Sequence, residues 1–98
     1  MAVLGDMAEL GPGAPAYHRE VGAAAARAGV EVLVAVGPLA RGYVEGARGV
    51  SLTRWAPTVE QGLAALRKVL QPGDCVLVKG SRAMGLEVIA EAVAAVPA

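Results

Sequence analysis

Hydrophobic and polar positions along the chain follow two patterns: short continuous apolar runs, and longer stretches with apolar residues three or four positions apart. The continuous runs are typical of parallel strands that are covered on both faces. They predict strands at residues 2–4, 32–36 and 75–78, and the shorter stretch Val50-Ser51-Leu52 predicts a weak third strand between the last two. The spaced stretches predict four helices, at about residues 17–28, 39–47, 57–70 and 83–95, with Pro57 in the first turn of the third.

Strands and helices alternate strictly in this prediction, which indicates an α/β fold. We expect a three-layer, Rossmann-like domain spanning residues 1–98, with a mainly parallel sheet of about four strands and helices on both faces. In the usual doubly wound order the first and fourth strands are neighbours, and the sheet changes direction between them. Ligands bind at such a point, so a site is expected where Gly5 and Asp6 meet residues 79–82.

Composition narrows the classes of function. Nine acidic and nine basic residues give a net charge of zero, and no basic stripe is interleaved with aromatic residues, so nucleic-acid binding is not expected. No apolar run reaches the roughly 20 residues of a membrane span, and no signal peptide is visible, so we expect a cytoplasmic protein without membrane association. The single cysteine, Cys75, is interpreted as a small buried hydrophobe, and Trp55 as a packing residue in a connection.

A short polar cluster, Lys79-Gly80-Ser81-Arg82, follows the fourth strand and precedes a helix. Gly80 permits close approach to the backbone, Ser81 can cap the helix, and the two cations suit a carboxylate or phosphate. The cluster therefore predicts an anion pocket; the alternative is a capped helix with solvated cations. No G-x-x-x-x-G-K-[ST] or G-x-G-x-x-G motif occurs, so a nucleotide would need its phosphate cradle from elsewhere.

Three further residues are candidates near the same edge. Asp6 follows the first strand directly and can pair with Lys79 or Arg82, orient a substrate ammonium, or cap a turn. Glu9 is interpreted as a solvated loop carboxylate, with a supporting role as the weaker alternative. His18 is the only histidine, and we expect it to bond the start of its own helix or the Asp6 loop. Because it has no companion His or Cys, neither a metal site nor a catalytic residue is predicted.

Four segments together resemble a known family. They are Gly5-Asp6-Met7-Ala8-Glu9-Leu10-Gly11, His18-x-x-Val21-Gly22, Val36-Gly37, and Leu77-Val78-Lys79-Gly80-Ser81-Arg82 with Glu87 beyond it. The combination resembles the C-terminal domain of the Mur ligases, and within them the type that adds D-alanyl-D-alanine (D-Ala-D-Ala). The resemblance covers nearly the whole chain.

This resemblance implies an ATP-dependent amide ligase of peptidoglycan precursor synthesis with three domains. The first holds UDP-MurNAc-tripeptide, the central one carries the P-loop with ATP and Mg, and the third closes over the central one and helps hold the incoming amino substrate. ATP phosphorylates the tripeptide's terminal carboxylate, and the amine of D-Ala-D-Ala attacks the acyl phosphate, giving an amide, ADP and phosphate. The resemblance maps the dipeptide contact to residues 79–82 with Glu87.

The resemblance also implies that residues 1–98 are the third domain alone, without the P-loop, the metal site or the hinge segment. By itself the chain is then not expected to be catalytically competent. A sheet edge left exposed by the missing segment predicts self-association. Two alternatives stay open: a stand-alone α/β module that binds a small anion or nucleotide at the same edge, and an interaction domain in which residues 79–82 only cap a helix.

Overall fold

A single parallel sheet lies at the centre of the computed structural model, which describes residues 1–7, 11–80 and 85–94. Its strands are β1 (Ala2–Gly5), β2 (Val32–Val36), β3 (Leu52–Ala56) and β4 (Leu77–Lys79). Their order is β3-β2-β1-β4, so the predicted fold class and the pairing of the first strand with the fourth are confirmed. The switch point of the sheet therefore lies between β1 and β4.

Among the described residues, four helices cover the sheet: α1 (Ala14–Arg27), α2 (Arg41–Gly46), α3 (Val59–Arg67) and α4 (Glu87–Ala94). Short 3₁₀ turns precede the first two, at Gly11–Gly13 and Pro38–Ala40. Helix α3 begins at an N-cap, Thr58, whose hydroxyl oxygen accepts a hydrogen bond from the Gln61 backbone N–H at 3.2 Å. No helix within the described ranges is both long and apolar enough to cross a membrane.

The sheet separates two apolar layers because successive strand residues point to opposite faces. On β1, Ala2 and Leu4 face α1 and α2, whereas Val3 faces α3 and α4. The buried members of the first layer are Ala2, Leu4, Leu33, Ala35, Ala40, Tyr43 and Ala47, and those of the second are Val3, Val34, Val36, Leu66, Leu86 and Ile89. Burial on both faces explains why β1 and β2 read as continuous hydrophobic runs.

Helices α1 and α2 cross at a contact between their backbones. A Cβ atom added at Gly22 would fall on the carbonyl oxygen of Tyr43, and one added at Gly46 would fall on the carbonyl oxygen of Arg19. Glycine at these positions lets the two helices approach closely, and this approach carries Tyr43 to the end of β1. The ion pair across the same crossing, Arg19 with Glu45 at 3.9 Å, is exposed and adds little stability.

Several sequence-based boundaries were wrong. The third strand spans Leu52–Ala56 and includes Trp55, which was placed in a connection. Its packing role is confirmed: the indole N–H donates to the Gly37 carbonyl at 2.8 Å, and the guanidinium of Arg41 lies 4.1 Å from the ring centroid. As the strand at one edge of the sheet, β3 is only partly buried, and its mixed residues did not form a continuous apolar run.

The prediction that Cys75 is buried in the fourth strand is also wrong, because Cys75 is exposed and lies before that strand. Pairing of β4 with β1 begins at Leu77, opposite Ala2. The Cys75 carbonyl accepts a hydrogen bond from the terminal amine of Met1 at 3.1 Å. The apolar run therefore begins before the strand that the structure shows.

Candidate functional site at the carboxyl ends of β1 and β4

The ends of β1 and β4 lie side by side, as the sequence predicted. Leu4 is the register partner of Lys79, so Gly80 comes next to Gly5. A Cβ atom at Gly80 would lie 2.6 Å from Leu86 Cδ1 and 3.1 Å from the Gly5 Cα atom. Packing against Leu86 and Gly5 therefore explains the glycine at this position, whereas the sequence was interpreted as allowing a ligand to approach the backbone.

The cations and the carboxylate predicted beyond β4 are described only in part. Lys79 is exposed, on the face of the sheet that α1 covers. Ser81 and Arg82 lie outside the described residues, so the anion-pocket prediction rests on Lys79 and Gly80 in this structure. Glu87 is exposed at the start of α4, where a carboxylate also suits the N-terminal amides of a helix.

Three consecutive residues at the end of β1 and just beyond it are each held by a different element. The Tyr43 hydroxyl of α2 donates to the Gly5 carbonyl at 2.9 Å. The Asp6 N–H donates to the Val36 carbonyl of β2 at 3.1 Å, and the Met7 N–H donates to His18 Nε2 of α1 at 3.1 Å. The backbone on both sides of Asp6 is therefore fixed, and with it the direction in which the side chain leaves the sheet edge.

The Asp6 carboxylate packs against a glycine that has no room for a side chain. A Cβ atom at Gly37 would lie 2.5 Å from Asp6 Oδ1, and Gly37 has φ +115°. Oδ1 is buried and has no hydrogen-bond partner among the described residues, and in this part of the chain Asp6 makes no ion pair with Lys79. A buried carboxylate oxygen without a partner is uncommon, which makes Asp6 a candidate for binding a group from outside this part of the chain. Glu9, the other acidic candidate, lies outside the described residues.

His18 has the structural role that the sequence predicted. It is fully buried, its Nδ1 contacts the Ala14 carbonyl oxygen, and its Nε2 accepts from Met7. Because a carbonyl can only accept, the hydrogen is assigned to Nδ1, and the imidazole is neutral. Both ring nitrogens are occupied, so His18 is not available as a general base. Its supporting contribution to a site is considered below.

Tyr43 joins the site although the sequence placed it only within the second predicted helix, at about residues 39–47. Its position in that helix gave no sign that the hydroxyl would reach β1. Gly37 was named only in the Val36-Gly37 segment of the resemblance, although the Gly37-Pro38 step was a visible signal of an unusual turn. Both roles depend on contacts between elements that are far apart in sequence.

Burial raises the pKa of Tyr43 to about 12, with further contributions from Tyr17 and Asp6. The unfolded phenol titrates near pH 10, so the folded state holds its proton more tightly. This stabilisation is present below about pH 10 and is lost as the pH rises toward 12, by up to about 2 kcal/mol. An ultraviolet titration should show a tyrosine step near pH 12 that disappears in Tyr43→Phe. A profile that is identical in the variant would contradict the assignment.

The described residues do not fit a metal or a nucleotide phosphate. Within residues 1–7, 11–80 and 85–94, no three His, Cys, Asp or Glu side chains come together. No phosphate-binding glycine motif is present in the sequence either.

Comparison with known proteins agrees with this geometry. The family model described as "Mur ligase, glutamate ligase domain" matches residues 1–82, and the chain belongs to this family. A UDP-N-acetylmuramoyl-tripeptide–D-alanyl-D-alanine ligase from Mycobacterium bovis is 44% identical over 111 aligned positions, covering 96% of this chain and 22% of the relative. An enzyme of the same name from Synechocystis is 39% identical over 90 positions, covering 88% of this chain and 19% of the relative.

A solved structure shows the same arrangement. A crystal structure of MurF from Acinetobacter baumannii superposes with a TM-score of 0.78 and 28% identity, covering 94% of this chain and 20% of that one. The chain spans about a fifth of the length of the relatives it matches. The predicted family and fold are therefore confirmed.

Proposed function

We propose that this chain acts as the third, closing domain of an ATP-dependent amide ligase that adds D-Ala-D-Ala to UDP-MurNAc-tripeptide. The observation that carries the proposal is the meeting of the β1 and β4 ends at the switch point of the sheet. Relatives with that activity in their names match nearly the whole chain. The proposal includes a cytoplasmic location and a contact with the central domain, which supplies the ATP site.

The charges at this edge suit a dipeptide zwitterion. Lys79, with Arg82 beyond it, would contact the carboxylate of D-Ala-D-Ala. Asp6, which the hydrogen bonds of its neighbours fix at the same edge, would orient the amino end. The amine must lose a proton before it attacks the acyl phosphate. Asp6 would orient the incoming ammonium, while proton loss and the attack take place at the facing domain. Residues 1–98 would form one wall of the site and would not catalyse the reaction alone.

The binding role is tested by following backbone amide signals of the ¹⁵N-labelled chain as D-Ala-D-Ala is added. Shifts are expected at Asp6, Lys79 and Gly80, with smaller shifts for L-Ala-L-Ala. Lys79→Met should weaken binding roughly three- to tenfold, as expected for the loss of a partly solvated charged hydrogen bond. The chain offers a matched control, Lys68→Met, because Lys68 is the other lysine and lies at the end of α3.

Shifts confined to the amino ends of the strands, or equal losses in both lysine variants, would contradict the proposed binding edge. In a full-length ligase with this chain as its third domain, Arg82→Ala should raise KM for the dipeptide. Unchanged dipeptide kinetics would remove Arg82 from the carboxylate contact.

We also propose that the chain self-associates through the open edge of the sheet. The Leu77 N–H donates to the Met1 carbonyl at 3.0 Å, so the backbone groups of the next residue, Val78, point away from β1. Leu77 is 61% exposed and borders an apolar groove of about 290 Å³ between β4 and α1. An unpaired strand edge beside uncovered apolar surface favours pairing with a second copy.

Sedimentation over a range of concentrations should show dimers. Their dissociation constant should rise about tenfold in Leu77→Lys, because the substitution removes a leucine side chain from the interface. Val88→Lys is the matched control, because Val88 is 52% exposed on α4, away from the groove. A chain that stays monomeric throughout, or an equal effect of both variants, would rule out this interface.

A further inference from the structure

The two side chains that hold the turn after β1 lie against each other. His18 of α1 and Tyr43 of α2 have ring centroids 4.7 Å apart, and their exposed fractions are 0% and 2%. One ring holds Met7 and the other holds Gly5, so Asp6 lies between two anchored residues. The His18–Tyr43 pair thus forms one buried unit that fixes both sides of Asp6.

Each anchor depends on the protonation state of its ring. Tyr43 must keep its hydroxyl proton to donate to the Gly5 carbonyl. His18 must be neutral with its hydrogen on Nδ1, because only an unprotonated Nε2 accepts from the Met7 N–H. A second proton on the imidazole would place two donors face to face and break the contact with Met7.

Two titratable side chains lie near the His18 ring, and a third belongs to the turn that His18 holds. Tyr17, on the same helix, lies edge-on at 6.0 Å, and Tyr43 faces the ring from α2. Asp6 is the charged group of the turn itself. An imidazolium would attract the Asp6 carboxylate, so a protonated His18 would compete with any cation that Asp6 binds from outside.

We propose that His18 and Tyr43 are positioning residues that hold Asp6 at the carboxyl edge of the sheet, and that His18 does so only while it is neutral. Neither residue touches the substrate in this mechanism; both act through the backbone of the turn. The effect on D-Ala-D-Ala rests on the proposed function, whereas the anchored turn is a property of this chain alone.

The anchored turn is tested in the isolated chain by ¹⁵N NMR of the His18 ring. At pH 8 the ring nitrogens should show the Nδ1–H tautomer. An Nε2–H tautomer would overturn the inference without any substitution that risks unfolding the domain.

The positioning role is tested in a full-length ligase with this chain as its third domain. Tyr43→Phe keeps the ring and removes one hydrogen bond, so KM for D-Ala-D-Ala should rise roughly two- to tenfold while KM for ATP stays unchanged. Tyr17→Phe is the matched control, because the Tyr17 ring is partly exposed and the change again removes only a hydroxyl. Equal effects of the two variants would overturn the role of Tyr43.

The two proposals fail in different ways. If dipeptide kinetics respond to Lys79→Met but not to Tyr43→Phe, the site stands and the positioning role is overturned. If they respond to neither, while NMR shows the anchored turn, the proposed function fails and the assignment of His18 and Tyr43 to the ligase reaction fails with it.

Discussion

Gly22→Ala is expected to destabilise the domain by about 1–3 kcal/mol, although alanine is the better helix former by about 1 kcal/mol. The added Cβ would fall on the carbonyl oxygen of Tyr43, and a backbone atom cannot move aside as a flexible side chain can. Helices α1 and α2 would have to separate. Since α2 carries Tyr43, separation would also lengthen the hydrogen bond to the Gly5 carbonyl.

Thermal and denaturant unfolding measure this loss, with a fall of roughly 4–8 °C for each kcal/mol in a domain of this size. Gly13→Ala is the matched control: Gly13 precedes the same helix, has φ −79° and has open space where the Cβ would lie. That variant should be neutral or slightly stabilising. Equal stability of both variants and the parent would show that the helices do not cross as closely as described.

The second large effect is expected for Gly37→Ala, which strains the backbone and displaces Asp6 together. Gly37 has φ +115° and ψ 164°, a region that is essentially restricted to glycine. Its N–H donates to the Ala56 carbonyl and its own carbonyl accepts from Trp55, both at 2.8 Å, so the conformation is held from β3. The Cβ would meet the Asp6 carboxylate at 2.5 Å. We expect a loss of about 2–4 kcal/mol, the sum of backbone strain and displacement of the carboxylate.

Gly49→Ala separates the two contributions. Gly49 also has a positive φ, +95°, but nothing lies within 4 Å of its Cβ position. The Gly49→Ala variant should lose only the stability that backbone strain costs, about 1–2 kcal/mol, and should keep the proposed binding of D-Ala-D-Ala. Gly37→Ala should lose both stability and binding. If the two variants bind the dipeptide equally well, Asp6 does not act from the position described.

Much of the fold follows from local patterns because the sheet is buried on both faces. The runs at β1 and β2 are continuous and apolar, so these strands and their parallel pairing could be predicted with the helices between them. The edge strands, β3 and β4, were harder to predict. Partial exposure gave β3 a mixed pattern that hid its length, and β4, which begins at Leu77, is shorter than its apolar run.

The candidate site, like the fold, could be predicted from the sequence only in part. The sequence by itself determined that Asp6 and Lys79 end two strands, and the doubly wound order then placed them at one edge. It also predicted that His18 would bond its own helix start or the Asp6 loop, and the structure shows both contacts. These predictions depend only on residue order and on the rules of strand connection.

Only the tertiary structure decided which contacts fix Asp6. The hydroxyl of Tyr43 reaches the Gly5 carbonyl because α1 and α2 touch through glycines, and Gly37 leaves space for the carboxylate because its backbone is held from β3. Such contacts join residues between 18 and 38 positions apart along the chain. The hydrophobic pattern along the chain does not predict these contacts, because they depend on how closely the backbones pack. That distance is set only when the helices and the sheet come together.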